Sequence, residues 1–384
     1  MTKILDFIAD NTGGQTYKSF KFRFEKENTP AFAYDDKSNI IFKRDRNGET
    51  DKSIVQPISM EQKAKDINQS GNLLFKYFLD GSRKTYKVDD IAYDKRIYPI
   101  IAGQIGVGCC YRPTADVFKN ELLEKHLVLT LPMCADKDMN PNERFFHEIL
   151  DYLNRLSILQ KNQLHFTEVL AYSDRQLELG KTYENRGIAR IQNRMMDLEK
   201  KIVKELARSH KLNRNSYLLK DGSLEYSEER STEALKWHAI KNNYRSVVGV
   251  SKAFNPELCK NNRGQNIAKD IADMPLFYRT PAYKYQFQEV LFSVWYLRLQ
   301  PQNRTIGPFS GVVKVEKILV TEEEQERGLE SSEIDEISAN LLNERNPSCY
   351  GKDRRWANHL YPVYLTESFI KSQYISDAYF INLF

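Results

Sequence analysis

The sequence predicts an α/β fold, in which a mixed sheet is flanked by helices and interrupted by a long helical hairpin. Three observations predict it. Short apolar runs typical of buried strands recur between residues 73 and 320. A segment rich in Leu, Glu, Lys and Arg, at 141–210, separates two groups of these runs. Two of the runs end in the same tripeptide, Asp-Gly-Ser.

Composition sets the class of protein. The 384 residues are 41% hydrophobic, which suffices for one large domain or two ordinary ones. The net charge of +5 permits a polyanionic partner without requiring one. No apolar run approaches the roughly 20 residues that span a bilayer, and the first ten residues lack the basic start of a secretory signal, so we expect a cytoplasmic protein without a membrane span.

Cysteine and histidine spacing argues against two kinds of site. The five cysteines are scattered and form no Cys-x-x-Cys pair, which disfavours a disulfide framework and a zinc site. The six histidines form no metal-binding spacing. The chain also lacks a P-loop, so it is not predicted to be an NTPase itself. The cysteines are Cys109, Cys110, Cys134, Cys259 and Cys349.

Residues 1–60 are predicted to form an N-terminal accessory region, and the first core strands follow it. Alternating aromatic residues around Phe22 predict strands there, and the charged stretch 43–53 predicts a mobile loop. In the main domain, 61–384, the apolar run at 73–79 predicts a buried strand. Asp80 lies at its end, just before the turn signal Gly81-Ser82. Residues 97–111 predict a second core strand, which we expect to pair with the first.

The segment 141–210 is predicted to be the helical hairpin, with Gly180 and Gly187 as places where the chain can turn. Its apolar residues recur at helical spacing along an inward stripe, namely Ile191, Met195, Leu198, Ile202 and Leu206. Further strands are predicted at 216–221, 246–252, 292–299 and 312–320. The acidic, helix-prone segment 321–348 is predicted to be a solvated insertion.

Asp80 and Asp221 are the candidate chemical groups, because each follows a buried strand and precedes Gly-Ser. Two carboxylates at one edge of a sheet suit Mg²⁺ or Mn²⁺, ions that activate water for phosphodiester hydrolysis. The competing interpretation is that Asp-Gly is simply a common turn dipeptide. Two copies, each after an apolar run, favour the metal site.

A third carboxylate is expected from the helix that precedes Asp221. Glu199 lies on the inward stripe, an unusual place for a charge, and Glu205 at the edge of the stripe is the competitor. Lys252, at the end of a Val-rich strand, is a candidate to contact the scissile phosphate, although strand-end lysines are commonly solvated. Arg298 and Glu316 are weaker candidates, because strand alternation alone accounts for them.

The order of these motifs resembles the NurA family of DNA-end-processing nucleases. Asp80-Gly81-Ser82 is followed by a carboxylate-bearing helix, Asp221-Gly222-Ser223-Leu224 and Gly249-Val250-Ser251-Lys252. Farther on, Val313-Lys314-Val315-Glu316 resembles the late core strand of the family, and Tyr361-Pro362-Val363-Tyr364-Leu365 its C-terminal element. The resemblance covers residues 73–369.

The resemblance implies a ribonuclease-H-like fold and Mn²⁺-dependent (or Mg²⁺-dependent) cleavage of DNA by a homodimer. It implies a HerA-type hexameric ATPase as partner, in DNA end processing or anti-phage defence. Asp80, Asp221 and Glu199 would bind the metal. The His that the family often carries after Tyr-Pro-x-x-Leu corresponds here to Phe369, and His359 is a possible substitute. This departure leaves a second hypothesis open, a catalytically weakened DNA-binding or scaffold subunit that regulates the ATPase.

Overall fold

The computed structural model of the protein describes residues 3–24, 41–136, 144–177, 180–224, 241–346 and 356–384. In these residues one mixed sheet contains fourteen strands: β1 Gln15–Thr16, β2 Phe22–Arg23, β3 Ile41–Asn47, β4 Ile58–Ser59, β5 Phe75–Tyr93, β6 Arg96–Thr114, β7 Val117–Pro132, β8 Glu168–Tyr172, β9 Tyr217–Asp221, β10 Val247–Ser251, β11 Tyr278–Arg279, β12 Tyr283–Phe287, β13 Val290–Arg298 and β14 Val312–Ile318.

The helices lie on both faces of this sheet. Within the same residues they are α1 Ile4–Thr12, α2 Glu61–Ser70, α3 Arg144–Leu153, α4 Ser157–Lys161, α5 Tyr183–Arg208, α6 Ala268–Asp273, α7 Glu322–Arg327, α8 Ser331–Asn343, α9 Tyr361–Ser372 and α10 Asp377–Ile381. No helix in the described ranges is both long and apolar enough to cross a membrane. The four cysteines that the structure describes are free thiols, and Cys349 lies outside the described residues.

The strand order through the sheet is β3-β12-β13-β14-β10-β9-β5-β6-β7-β8. β5, β6 and β7 form a long antiparallel meander, in which β5 and β6 pair from Tyr77–Tyr111 to Tyr93–Arg96. On the other side of β5, β9 runs parallel to β5 and β10 runs parallel to β9. The predicted α/β class and the pairing of the first two core strands are therefore confirmed.

The two faces of the sheet bury different helices. On the first face, the stripe of α5 around Ile191 and Met195 packs with Leu79 of β5 and Leu218 of β9, which form one apolar cluster. On the second face, strand residues such as Phe78 cluster with α8 and with the start of α9. Because side chains alternate along a strand, even-numbered positions near residue 78 in β5 face α9 and odd-numbered positions face α5.

The predicted helical hairpin over 141–210 is not what the structure contains. Two short helices, α3 and α4, are followed by strand β8, which extends the sheet parallel to β7, and only α5 is long. Gly187 lies inside α5, where Ile101 and Thr130 occupy the space that a Cβ would need. Pairing at the edge of the sheet, which local composition does not report, determines that 168–172 is a strand.

Four further differences from the sequence-based expectations follow. β5 does not end at Asp80 but continues to Tyr93, because β6 pairs with it along that length. The strand β7 is absent from the sequence-based predictions, because the charged residues in its first half interrupt the apolar pattern of a buried strand. The segment 321–348 is helical in its described part but not solvated as a whole: α8 buries Ile334, Ile337 and Leu341 against the sheet. Residues 43–47, expected in a loop, belong to β3.

Candidate active site

Asp80 and Asp221 are brought side by side by neighbouring parallel strands. The register of β5 with β9 pairs Leu79 with Lys220, so the next residue of each strand is an aspartate directed to the face that carries α9. Asp80 is only 6% exposed. Burial raises the pKa of Asp80 well above the usual range, and the nearby Asp221 carboxylate adds to that rise.

Lys252 lies against these aspartates. It follows β10, whose Val250 pairs with Asp221, and its Nζ donates to Asp221 Oδ2 at 2.9 Å. Lys252 is 9% exposed. Burial would lower its pKa, but the carboxylates of Asp221 and Asp80 outweigh burial and raise it. Burial likewise opposes ionisation of Asp221, yet Lys252 and Lys220 lower the pKa of that carboxyl, so the Asp221–Lys252 pair is ionised.

The turn after β9 fixes the direction of Asp221. Gly222 has φ +83°, a left-handed conformation that favours glycine, so here Asp-Gly-Ser does form a turn. Lys220 Nζ donates to the carbonyl oxygens of Asp221 at 2.8 Å and Ser223 at 3.3 Å. Buried Glu316 closes the turn, since its Oε2 accepts from Ser223 Oγ at 3.0 Å and from the Leu224 amide at 2.8 Å.

Glu199 is buried on the inward stripe of α5, at 4% exposure, whereas Glu205 is exposed. Its carboxylate occupies the space beside Gly81 that a Cβ would fill, which explains why glycine follows Asp80. Glu199 Oε2 pairs with Lys220 Nζ at 3.1 Å. It therefore approaches the aspartates from the opposite face of the sheet, over Gly81, and is held there by a lysine.

Sequence reasoning overlooked Lys220 and Glu367. Lys220 stands in an apolar strand, a signal that a buried charge has a partner. Glu367, on α9, lies close enough to Asp80 and Lys252 to affect the pKa of each. His359 is buried and has an electrostatic effect on Asp221. Phe369 is partly buried on the same helix as Glu367.

The two weaker candidates have structural partners. Arg298 is buried and donates to the carbonyl oxygens of Ile271 and Ala272, which ties β13 to α6. Glu316 pairs with Lys314 in addition to closing the Asp221 turn. Glu316 does not lie on the face that holds Asp80, because it pairs in register with Gly249 and extends toward Leu224 on the α5 side.

The donor set suits a hard divalent cation, for which carboxylate oxygens are the preferred ligands. Asp80, which is buried, and Asp221, which is partly buried, share one face, and two more carboxylates are within electrostatic range of Asp80. In the described part of the chain, however, no three His, Cys, Asp or Glu side chains are already arranged to hold a metal ion. Lys252 pairs with Asp221 and Lys220 pairs with Glu199 in this arrangement.

Comparison with known proteins adds no relative to this picture. No protein-family model matches the chain. No curated protein is significantly similar to it in sequence. The functional argument therefore rests on the geometry of Asp80, Asp221 and the charged side chains around them.

Proposed function

We propose that the protein is a divalent-metal-dependent deoxyribonuclease, a phosphodiester hydrolase that binds Mn²⁺ or Mg²⁺ at Asp80 and Asp221. One observation carries the proposal: adjacent parallel strands present two aspartates, Asp80 buried and Asp221 partly buried, on the same face of a sheet, beside a lysine that pairs with Asp221. A buried pair of carboxylates costs stability unless a cation compensates it. Such pairs are typical of catalytic sites.

The strand arrangement supports a ribonuclease-H-like fold for this region. Three antiparallel strands, β7-β6-β5, continue into β9 and β10, which run parallel to β5. Asp80 lies on the first strand of this set in chain order, Asp221 on the fourth, and the carboxylate-bearing helix α5 precedes the latter. This is the order of motifs on which the resemblance to the NurA family depends.

In the proposed mechanism Asp80 and Asp221 would hold the metal from one face of the sheet, and Glu199, over Gly81, would reach it from the other. The bound cation would activate the attacking water and stabilise the leaving oxygen. Lys252 donates to one oxygen of Asp221, Oδ2, so the same carboxylate could hold a cation through its other oxygen. The Lys252 ammonium group would then be available to contact a phosphate of the DNA backbone.

The partner proposed with this activity is a HerA-type hexameric ATPase, acting with a homodimer of the nuclease on DNA ends or on foreign DNA. The family resemblance supports this assembly. The chain carries no P-loop, so any active translocation of DNA requires a separate ATPase.

The test is cleavage of linear and circular DNA by the full chain, with Mn²⁺ or with EDTA, alone and with the ATPase. Asp221→Asn should reduce Mn²⁺-dependent cleavage by about a thousandfold or more, because one metal ligand is lost. Asp90→Asn is the matched control, since Asp90 also pairs with a lysine, Lys87, at 2.8 Å on the same strand as Asp80 but away from the site. Full cleavage by a folded Asp221→Asn variant would refute the proposal.

A DNA-binding or scaffold role for the same fold is the second candidate. It is favoured by the two lysines that hold Asp221 and Glu199. One measurement separates the two proposals. A scaffold subunit would bind DNA, and stimulate or restrain the ATPase, to the same extent in the wild type and in the Asp221→Asn variant. If the protein is a nuclease, the Asp221→Asn variant should no longer cleave DNA.

A further inference from the structure

Helix α9 packs directly over the strand pair that carries Asp80. Asp80 is paired across the sheet with Gly108, and the side chain of Ile370 occupies the space above Gly108 that a Cβ would need. Ile370 also lies above Gly106, and Tyr374, just beyond the end of α9, lies beside it there. Because residues three apart share a helix face, Glu367 lies on the same side of α9 as Ile370, one turn closer to the N-terminus.

Glu367 is a shielded carboxylate rather than a solvated one. Its side chain is 22% exposed, and Lys371 pairs with it at 2.6 Å from the outer side of the helix. On the inner side it interacts electrostatically with Lys252 and Asp221. Burial would raise the pKa of Glu367, but Lys371 and Lys252 outweigh burial and lower it, so the group is a carboxylate.

Two other side chains approach the aspartates from elsewhere in the fold. Glu199 is held by Lys220 on the opposite face of the sheet. His359, which precedes α9, affects Asp221 electrostatically, and Glu367, on α9, affects Asp80, Asp221 and Lys252. Asp80 of β5, Asp221 at the end of β9 and Glu367 of α9 thus all act electrostatically on Lys252, and Asp221 also pairs with it directly.

We propose that Glu367 is a further carboxylate ligand of the divalent-cation site, contributed by α9 on the face that holds Asp80 and Asp221. This inference rests on the proposed function. Helix α9 begins with Tyr361-Pro362, at the first positions where proline is tolerated, and carries Glu367 in its second turn. The proposal assigns a role to a residue that lies two positions before Phe369.

The test measures Mn²⁺ affinity directly, by titration calorimetry or by the loss of the free Mn²⁺ signal in electron paramagnetic resonance, on the full chain without DNA. Glu367→Gln is expected to weaken Mn²⁺ binding about tenfold or more, because a charged ligand becomes a neutral one of the same size. Glu367→Asp keeps the carboxylate and should recover part of the affinity. His359→Gln is the comparison at the competing position, with a change of less than about threefold expected.

Lys371→Gln is the matched control on α9, because it removes the outer partner of Glu367 and leaves the carboxylate in place. Thermal melting of each variant establishes that it is folded. Unchanged Mn²⁺ affinity in Glu367→Gln, together with loss of binding in Asp221→Asn, would overturn the role of Glu367 and leave the proposed function standing. Absence of Mn²⁺ binding by the wild-type chain would instead overturn the proposed function, and this inference with it.

Discussion

Asp80 illustrates the conflict between stability and the proposed activity at the scale of one residue. Burial and the neighbouring Asp221 raise its pKa, so the folded protein holds a proton that the unfolded chain releases near pH 3.8. The unfolded state thus binds fewer protons above that pH, and this carboxyl makes the fold less stable as pH rises through the raised pKa.

We predict that Asp80→Asn, which removes the buried carboxyl and keeps its size, abolishes Mn²⁺-dependent cleavage and stabilises the metal-free fold. The expected rise in the melting temperature at pH 7 is about 1 to 3 °C. Calorimetry in EDTA and a cleavage assay in Mn²⁺ measure the two effects. A variant that cleaves DNA, or that melts well below the wild type without metal, would contradict this account of Asp80.

Asp377 shows the opposite linkage, at a distance from the site. Although burial would raise its pKa, hydrogen bonds from Lys84, Tyr86 and Arg23 lower it to about 2. The unfolded chain takes up this proton near pH 3.8 and the folded protein only near 2. The stabilisation by Asp377 is therefore complete above pH 3.8 and lost as pH falls toward 2.

The corresponding variant is Asp377→Asn. Its melting temperature should lie below that of the wild type at pH 7, and the difference should shrink steadily between pH 3.8 and 2. The effect will be modest, because the side chain is about one-third exposed and solvent screens its ion pairs. A difference that is independent of pH would show that Asp377 acts through packing and not through its charge.

At the scale of an element, the turn 221–224 depends on Glu316. Glu316 accepts from Ser223 Oγ and the Leu224 amide, and it pairs with Lys314. Glu316→Ala should release the turn, weaken Mn²⁺ binding and expose the Leu224 amide to hydrogen exchange. Glu316→Gln, which keeps one acceptor oxygen, should preserve more of the exchange protection than Ala does. Equal protection of the Leu224 amide in the wild type and Glu316→Ala would rule out this positioning role.

The elements differ in how far the sequence reveals them. Asp80, Asp221, Lys252 and the buried stripe of α5 were recognisable, because apolar periodicity and the motif Asp-Gly-Ser are local signals. Strand β8 and the long β7 were not, since both depend on pairing with distant residues. Glu367 carries no local signal either. Its significance arises only when α9 packs over Gly108, far away in the sequence.

At the scale of the whole molecule, the N-terminal residues that were predicted to be accessory are built into the same sheet. β3 pairs with β12, and β1 and β2 pair with β5. Buried Arg279 donates to both carboxylate oxygens of Glu49, at 3.2 and 3.0 Å, and to Asp335 of α8 at 2.7 Å. Asp89 of β5, fully buried, accepts from the backbone amides of Lys18 and Ser19.

Removal of residues 1–60 should therefore unfold the domain or lower its melting temperature sharply, and not merely delete an appendage. The truncation leaves the Arg279 guanidinium without Glu49 and the Asp89 carboxylate without its two amide donors, and breaking one buried ion pair in this way costs about 3 to 5 kcal/mol. The measurement is thermal unfolding of the chain that begins at Glu61, with Glu49→Gln in the full chain as the control that weakens the ion pair while keeping the strands. A truncated chain that melts like the wild type and binds Mn²⁺ normally would establish the N-terminal region as dispensable, and the main domain, with its metal site, as a folding unit of its own.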